Sequence, residues 1–159
     1  MARKAPATRA IRELRAHKVP FEGYPYDYEA GGGTAQFAQR FDIDEHAVIK
    51  TLIMEDEGKQ PMVVLMHGDL QVSTKALARA IGAKSIRPCD PSTADRHSGY
   101  QVGGTSPFGT RTKMPVYCQQ SIIELKKIWI NGGKRGYIIA LAASDLVKVL
   151  RPTRVDVTA

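Results

Sequence analysis

A lysine stands inside the apolar run HAVIKTLIM at residues 46–54. The two-residue period of a strand puts Lys50 on one face with Val48, Leu52 and Met54, and Ile49, Thr51 and Ile53 on the other. Both faces look buried, so the ammonium must snorkel to solvent, pair with a carboxylate or face a cleft. Facing a cleft, it could neutralise negative charge on a substrate, more strongly the drier the cleft. On an edge strand it would be a solvated charge and nothing more. A second candidate is SGYQVGGTSPFGTRTKMP, residues 98–115. Gly103, Gly104 and Gly109 permit positive φ and lack the Cβ that blocks close approach. That suits a nest of backbone N–H donors around a ligand, and it equally suits a hairpin. A third is Asp145 in LAASDLVKVL (141–150), which also fits a plain acidic residue at a helix N-terminus.

Other chemistry is argued against by spacing. His17, His46, His67 and His97 never fall at i,i+4 or beside a second ligand type at useful spacing. A structural zinc site needs about four ligands, so no metal is expected. Gly104-Thr105-Ser106-Pro107-Phe108-Gly109 is one residue too long for a G-x-S-x-G nucleophile elbow. Pro107 also lacks the N–H that such an elbow uses as an oxyanion donor. Ser106 then reads as a capping or ligand-orienting hydroxyl. Neither GGTSPFG nor NGGKRG satisfies a P-loop. Cys118 lies in an apolar segment and reads as core. No serine–histidine or cysteine–histidine pair is legible.

At 159 residues, 43% hydrophobic and 25% charged, the chain suits one soluble domain with a single core. No apolar run approaches the ~20 residues that span a bilayer. The N-terminus carries no secretory pattern, and Cys89 and Cys118 show no CxxC, so reduced thiols in the cytoplasm are expected. A net charge of +7 and a pI near 9.5 favour a polyanionic partner without choosing RNA over DNA. Small basic clusters occur at Arg9/Arg12/Arg15, Arg111/Lys113, Lys126/Lys127 and Lys134/Arg135.

The elements that must position these residues follow from pattern. Thr8 caps a helix that buries Ile11 and Leu14, and an extended segment runs from Phe21 to Tyr28. Gly31-Gly32-Gly33 is a joint, after which Thr34 caps a helix bearing Phe37 and Phe41. Ala47–Glu55 and Met62–Met66 form a hairpin. Ser73 caps a helix that Gly82 ends, and a short strand covers Ser85–Arg87. Asp90-Pro91 opens another helix. Brief strands are expected at Tyr100–Val102 and Val116–Cys118, then a hairpin of Ile128–Ile130 with Tyr137–Leu141. Ser144-Asp145 caps the last helix, and Arg151-Pro152 stops it. The result is an α/β (α+β) chain: a curled, barrel-like, mixed but mostly antiparallel sheet with peripheral helices. One domain covers 1–159, with its core in about 8–150.

HAVIKTLIM, GYQVGGTSPFGTRTKMP (99–115), INGGKRG (130–136) and LAASDLVKVL occur in that order. Together they resemble the YbaK-type Cys-tRNA(Pro) deacylases, freestanding relatives of the editing domain inserted in bacterial prolyl-tRNA synthetases. The resemblance runs from about Thr8 to Leu150, and Pro152–Ala159 matches nothing. It implies the same curled sheet, no cofactor, and cleavage of the ester joining a wrong amino acid to the 3′ end of tRNA. A proline pocket cannot strongly reject a side chain of similar size, so a second sieve is useful.

Carried over residue by residue, the resemblance makes Lys50, Gly104 and Asp145 catalytic. It places Tyr26, Gly103, Thr105, Ser106, Pro107 and Gly109 at the substrate and leaves Phe21 in the core; residues 28–35 (YEAGGGTA) depart from the family pattern, so the resemblance does not fix the aromatic wall there, for which Phe37 is taken. Tyr26 would close the pocket or bond the ribose, and Asp145 would orient Lys50 or hold the substrate amino group. Arg111, Lys113, Lys134 and Arg135 are expected at tRNA phosphates. Glycine-loop N–H groups would hold the oxyanion, with water or the substrate's own thiol as nucleophile. The implied partners are aminoacyl-tRNA and prolyl-tRNA synthetase, acting as a ternary complex. Cys-tRNA(Cys) is a further substrate under the resemblance. Alternatives are an Ala-tRNA(Pro) or other small-residue deacylase, and a non-catalytic RNA- or synthetase-binding module.

Overall fold

The computed structural model describes residues 5–159. In chain order the elements are α1 (Arg9–Ala16), β1 (Glu22–Pro25), α2 (Gly33–Phe41), a 3-10 turn (Glu45–Ala47), β2 (Val48–Asp56), β3 (Pro61–His67), α3 (Thr74–Ile81) and β4 (Ile86–Pro88). Then come α4 (Pro91–Ser98), β5 (Val116–Gln119), α5 (Gln120–Ile123), β6 (Lys127–Lys134), β7 (Tyr137–Ala142), α6 (Ala143–Leu150) and β8 (Thr153–Val155).

Eight strands form one sheet in the order β1-β7-β6-β2-β3-β5-β8, with β4 pairing to β2 off this path. Antiparallel pairing joins β1 to β7, β7 to β6, β3 to β2 and β4 to β2. Parallel pairing joins β6 to β2, β5 to β3 and β8 to β5. The path runs from β1 to β8 without closing. The mixed sheet with peripheral helices is therefore as the sequence reads, and the curl stops short of a barrel.

Strand alternation sorts the core. Ile49, Ile53, Val63 and Leu65 pack with α1, α6 and Phe108 on one face of the sheet. Met54, Met62, Val64 and Met66 pack with Leu77 of α3 on the other. A third cluster, Phe37, Val48 and Ile138 with Tyr24 and Tyr26, seats α2. Each fully buried aliphatic side chain contributes roughly 1.5–3 kcal/mol relative to exposure. Thr8 caps α1 by accepting from the Ile11 N–H at 3.1 Å, and its hydroxyl donates to the Gly132 carbonyl at 2.6 Å. The cap thus also ties α1 to β6. Ser73 caps α3 at 3.1 Å, and Gly82 ends it with φ of 76°.

Several boundaries differ from the sequence reading. The Tyr100–Val102 segment is a turn, because its polar groups are spent locally: the Tyr100 hydroxyl donates to the Phe108 carbonyl and the Val102 N–H to Asp95. Thr34 lies inside α2, where its hydroxyl donates to Glu45 Oε2 at 2.7 Å; Gly32 stands at the cap. Ser144 and Asp145 lie in the first turn of α6 without a side-chain cap bond. The tail is structural: β8 extends the sheet, and the Val157 N–H donates to the buried Gln119 side chain.

The feature that makes a site is the uneven partnering of β2. Along one edge β3 follows it from Ile49 to Glu55. Along the other, β6 takes only Val48 and Ile49, and β4 begins at Met54. The strand is left open between them.

Candidate active site

A cavity of about 690 Å³ occupies that opening. Ile49, Lys50, Thr51, Leu52, Ile53 and Met54 all line it. Consecutive residues of a strand alternate between faces, so a run of six can line one cavity only where the cavity meets the strand's edge. The Ile53 carbonyl on this edge accepts from the Cys89 N–H at 3.0 Å. Backbone direction alternates in the same way, so the N–H and C=O of Thr51 also turn toward the opening. Its hydroxyl is buried with no hydrogen-bond partner.

Lys50 is partly buried and makes no ion pair with any described residue. Burial pushes its pKa below the usual lysine value of 10.5, while the charges of Glu45 and Asp69 act in the opposite sense. Glu45 is held by Thr34, another lining residue, and Asp69 by the His46 Nδ1–H at 3.0 Å. The ammonium is thus balanced by acids at a distance and left free for a ligand.

Aromatic rings form the opposite wall. Tyr26, Tyr28 and Phe37 line the cavity, and Tyr26 meets Phe37 edge-on at 5.5 Å. Burial, then the neighbouring Tyr28, raises the Tyr26 pKa, so its hydroxyl stays protonated and can donate. Phe37 is 1% exposed and also meets Tyr24 at 6.0 Å, so the wall is anchored in the third core cluster.

The glycine loop contributes Val102, Gly103 and Thr105 to the lining. Asn131 in β6 fixes it: its Nδ2 donates to the Gly103 carbonyl at 3.2 Å, while its Oδ1 accepts from the N–H groups of Gly133 and Lys134. The N–H groups of Gly103 and Thr105 have no acceptor among the described residues.

The family model for the aminoacyl-tRNA editing domain matches residues 29–149, a span that contains β2, the loop and the Asn131 segment. The chain belongs to that family. Over 152 residues this editing domain is 27% identical to EbsC of Enterococcus faecalis, a candidate Cys-tRNA(Pro)/Cys-tRNA(Cys) deacylase, covering 95% of this chain and 93% of that protein. It is 28% identical over 94 residues to the proline–tRNA ligase of Brachyspira hyodysenteriae, covering 59% of this chain and 16% of the ligase. The crystal structure of a candidate trans-editing enzyme for prolyl-tRNA synthetase superposes with a TM-score of 0.83 at 17% identity, covering 99% of both chains. That likeness bears on the fold.

Of the residues singled out from sequence, the editing domain brings Lys50, Tyr26, Phe37, Gly103 and Thr105 together around one cavity. Gly104 is different: its N–H donates to the Gln101 carbonyl at 2.8 Å, so it is not a free oxyanion donor. A Cβ there would lie 2.6 Å from the Arg135 nitrogen. Gly109 faces α1, where a Cβ would meet the Arg9 carbonyl at 2.7 Å. Ser106 is fully buried and accepts from the Phe108 N–H, with Pro107 buried beside it. Glycine at positions 104 and 109 is therefore required by packing of protein against protein. Asp145 lies outside the lining, and the acids that act on Lys50 are Glu45 and Asp69. Phe21 packs against the main core.

Among the expected phosphate contacts, Arg135 is exposed outside the lining, but its Nε–H donates to the carbonyl of the lining residue Val102 at 2.8 Å. Lys134 beside it, and Arg111 and Lys113 on the loop, are exposed outside the lining. Tyr28, Thr34, Thr51, Cys89 and Asn131 line the cavity without having been singled out. For Thr51 the available signal was adjacency to Lys50; for the others it was only their arrival through the fold.

The fold also assembles His46, His67 and Asp69 into a group that spacing argued against. The two rings stack at 3.6 Å with 6° between planes. Their in-plane lone pairs then lie in parallel sheets, so one ion cannot lie along both. His67 is further engaged: its Nδ1–H donates to the His46 carbonyl, and its Nε2 accepts from the Ser121 hydroxyl at 2.6 Å. This is a serine–histidine pair that sequence did not reveal. Neither partner lines the cavity.

Proposed function

We propose that this editing domain is a trans-acting deacylase that removes mischarged cysteine from Cys-tRNA(Pro). The observation that carries the reading is Lys50, partly buried and without an ion pair among the described residues, in the lining of the cavity at the open edge of β2. At about 690 Å³ the cavity accommodates a terminal adenosine with its acyl group, the scale of a small-ligand site. Tyr26, Phe37 and Ile138 offer apolar wall, while Thr51 and the strand edge offer polar atoms for the ester and the amino group.

Cleavage of the ester builds negative charge on its carbonyl oxygen. In this reading the N–H groups of Gly103 and Thr105, which have no acceptor among the described residues, meet that charge together with Lys50. Each such donor is worth roughly 3 kcal/mol of barrier. Cys89 is the one thiol in the lining, and burial with the Glu55 contact pushes its pKa to about 12, so at neutral pH it is a protonated, poor nucleophile. The attacking group then comes with the substrate or the solvent. With cysteine, the substrate thiol loses its proton and its sulfur adds to the carbonyl carbon. The carbon–oxygen bond to the ribose breaks, the ribose oxygen takes the proton, and a thiolactone leaves. With water, the same cleavage yields the free amino acid. A cavity that admits cysteine also admits alanine, so thiol chemistry rather than size separates the two.

Specific tRNA choice comes from a ternary complex with prolyl-tRNA synthetase, since a domain of this size has little surface for a whole tRNA. The test is release of amino acid from Cys-tRNA(Pro), Ala-tRNA(Pro) and Pro-tRNA(Pro) by purified protein. Release of cysteine alone, with thiolactone trapped as product, supports the reading. Equal release of alanine makes it a small-residue water-driven deacylase, and no release above the protein-free rate overturns the enzymatic reading.

A further inference from the structure

Val102 is the exposed large hydrophobic residue among those described, at 45%, and it lies on the rim of the cavity. It is not on a slack loop. Its N–H donates to Asp95 Oδ1 at 3.1 Å, and its carbonyl accepts from Arg135 Nε at 2.8 Å. The guanidinium of Arg135 in turn lies over the Tyr28 ring, 5.3 Å from its centroid. The Tyr28 ring lies beside the guanidinium, while Arg135 as a residue is exposed. Gly103 closes the arrangement from below, since a Cβ there would run into the Tyr28 hydroxyl. An apolar side chain on a tied backbone thus lies beside an exposed guanidinium, with the exposed Lys134 next to it in the chain.

We propose that Tyr28, Arg135 and Val102 form a lip that takes the unpaired base immediately preceding the terminal adenosine, stacked on the Arg135 plane and against Val102. The inference rests on the proposed function, which puts one acylated nucleoside in the cavity and obliges the rest of the RNA strand to leave through the mouth. Proteins that bind single strands stack bases on aromatic rings and guanidinium planes and track phosphates with cations. The lip offers the stacking surface, and the net charge of +7 suits the strand that follows. Sequence tolerance is expected, because a stacked base is held by its face rather than by its edge.

The experiment compares two uncharged probes on the full chain, adenosine monophosphate and the RNA trinucleotide CCA, by calorimetric or NMR titration. The trinucleotide should bind roughly tenfold more tightly, the range expected for one added stacked base. Val102→Asp and Arg135→Ala should remove most of that advantage while weakening the mononucleotide far less. Arg135→Lys keeps the charge and loses the plane, so it should also lose the advantage. Val102→Ser supplies a milder change if the aspartate variant does not fold. Equal weakening of both probes would show that the lip only shapes the cavity, and full retention in Arg135→Lys would show that charge alone suffices. Either result overturns the proposal, as does a variant that loses only synthetase association. Lys50→Ala should still prefer the trinucleotide, and a wild-type protein that shows the preference but releases no amino acid sinks the catalytic reading and leaves the lip standing.

Discussion

At Lys50 the decisive facts are a strand edge without a partner and acids that bias the ammonium without touching it. Replacing this lysine by alanine removes a partly desolvated charge and no hydrogen bond. Lys50→Ala should therefore lower kcat/KM on Cys-tRNA(Pro) by at least about 100-fold, the usual effect of losing an oxyanion partner. Thermal denaturation should show a midpoint within a few degrees of wild type. A collapse in Tm would make the residue structural. Gly109 is the contrasting case. It sits at φ of 63° with the Arg9 carbonyl where a Cβ would go. Gly109→Ala should destabilise the fold by about 2–4 kcal/mol through strain and overpacking, visible as a Tm loss of several degrees. A Tm unchanged by the methyl group would mean that the loop, not α1, has room to move.

Between elements, the end of β3 is joined to the 3-10 turn and α5 through His67. That role needs a neutral ring, which donates from Nδ1 and accepts at Nε2. Burial is the main cause that lowers its pKa below 6.5; the hydrogen bond to the His46 carbonyl opposes it, and the charge of the His46 ring adds to it. As pH falls, the unfolded chain takes up this proton first and the folded protein resists it. The contribution is therefore whole above about pH 6.5 and declines as pH drops through the window beneath it. Calorimetric Tm should fall between pH 7 and pH 5, and His67→Gln, which does not titrate, should flatten that fall. A wild-type profile already flat there would refute the assignment. The β2–β3 hairpin, by contrast, was legible from its apolar runs and the Asp56–Lys59 turn. β8 was not, because Thr153–Val155 is short and polar at two of three positions and becomes a strand only by lying on β5.

For the molecule as a whole, the charge of +7 sets the long-range attraction to RNA. Affinity for tRNA(Pro) should fall steeply with salt, and Lys134→Ala should reduce the logarithmic slope by about one if that side chain meets a phosphate. Filter binding from low to moderate salt measures both slopes, and an unchanged slope would remove Lys134 from the interface. Gel filtration with prolyl-tRNA synthetase and tRNA(Pro) should yield a ternary species at low salt; its persistent absence would leave tRNA selection to the domain alone. No helix among the described residues is long and apolar enough to cross a membrane.

Sequence by itself was enough for the mixed sheet, most helix caps, the buried register of β2 and the family. Each of these depends on the order of residues along the chain: alternation, a hydroxyl before a helix, a run of motifs in fixed succession. What only the tertiary structure decided was which backbone would be left bare of partners. The opening on β2 exists because β6 departs after Ile49 and β4 arrives at Met54, strands about 80 and 30 residues further along the chain. The same distance effect reassigned the glycines. Gly104 and Gly109 have the residue type of a ligand loop, but their missing side chains make room for Arg135 and Arg9. Close packing is a property of neighbours in space, and a single chain read in order does not name them.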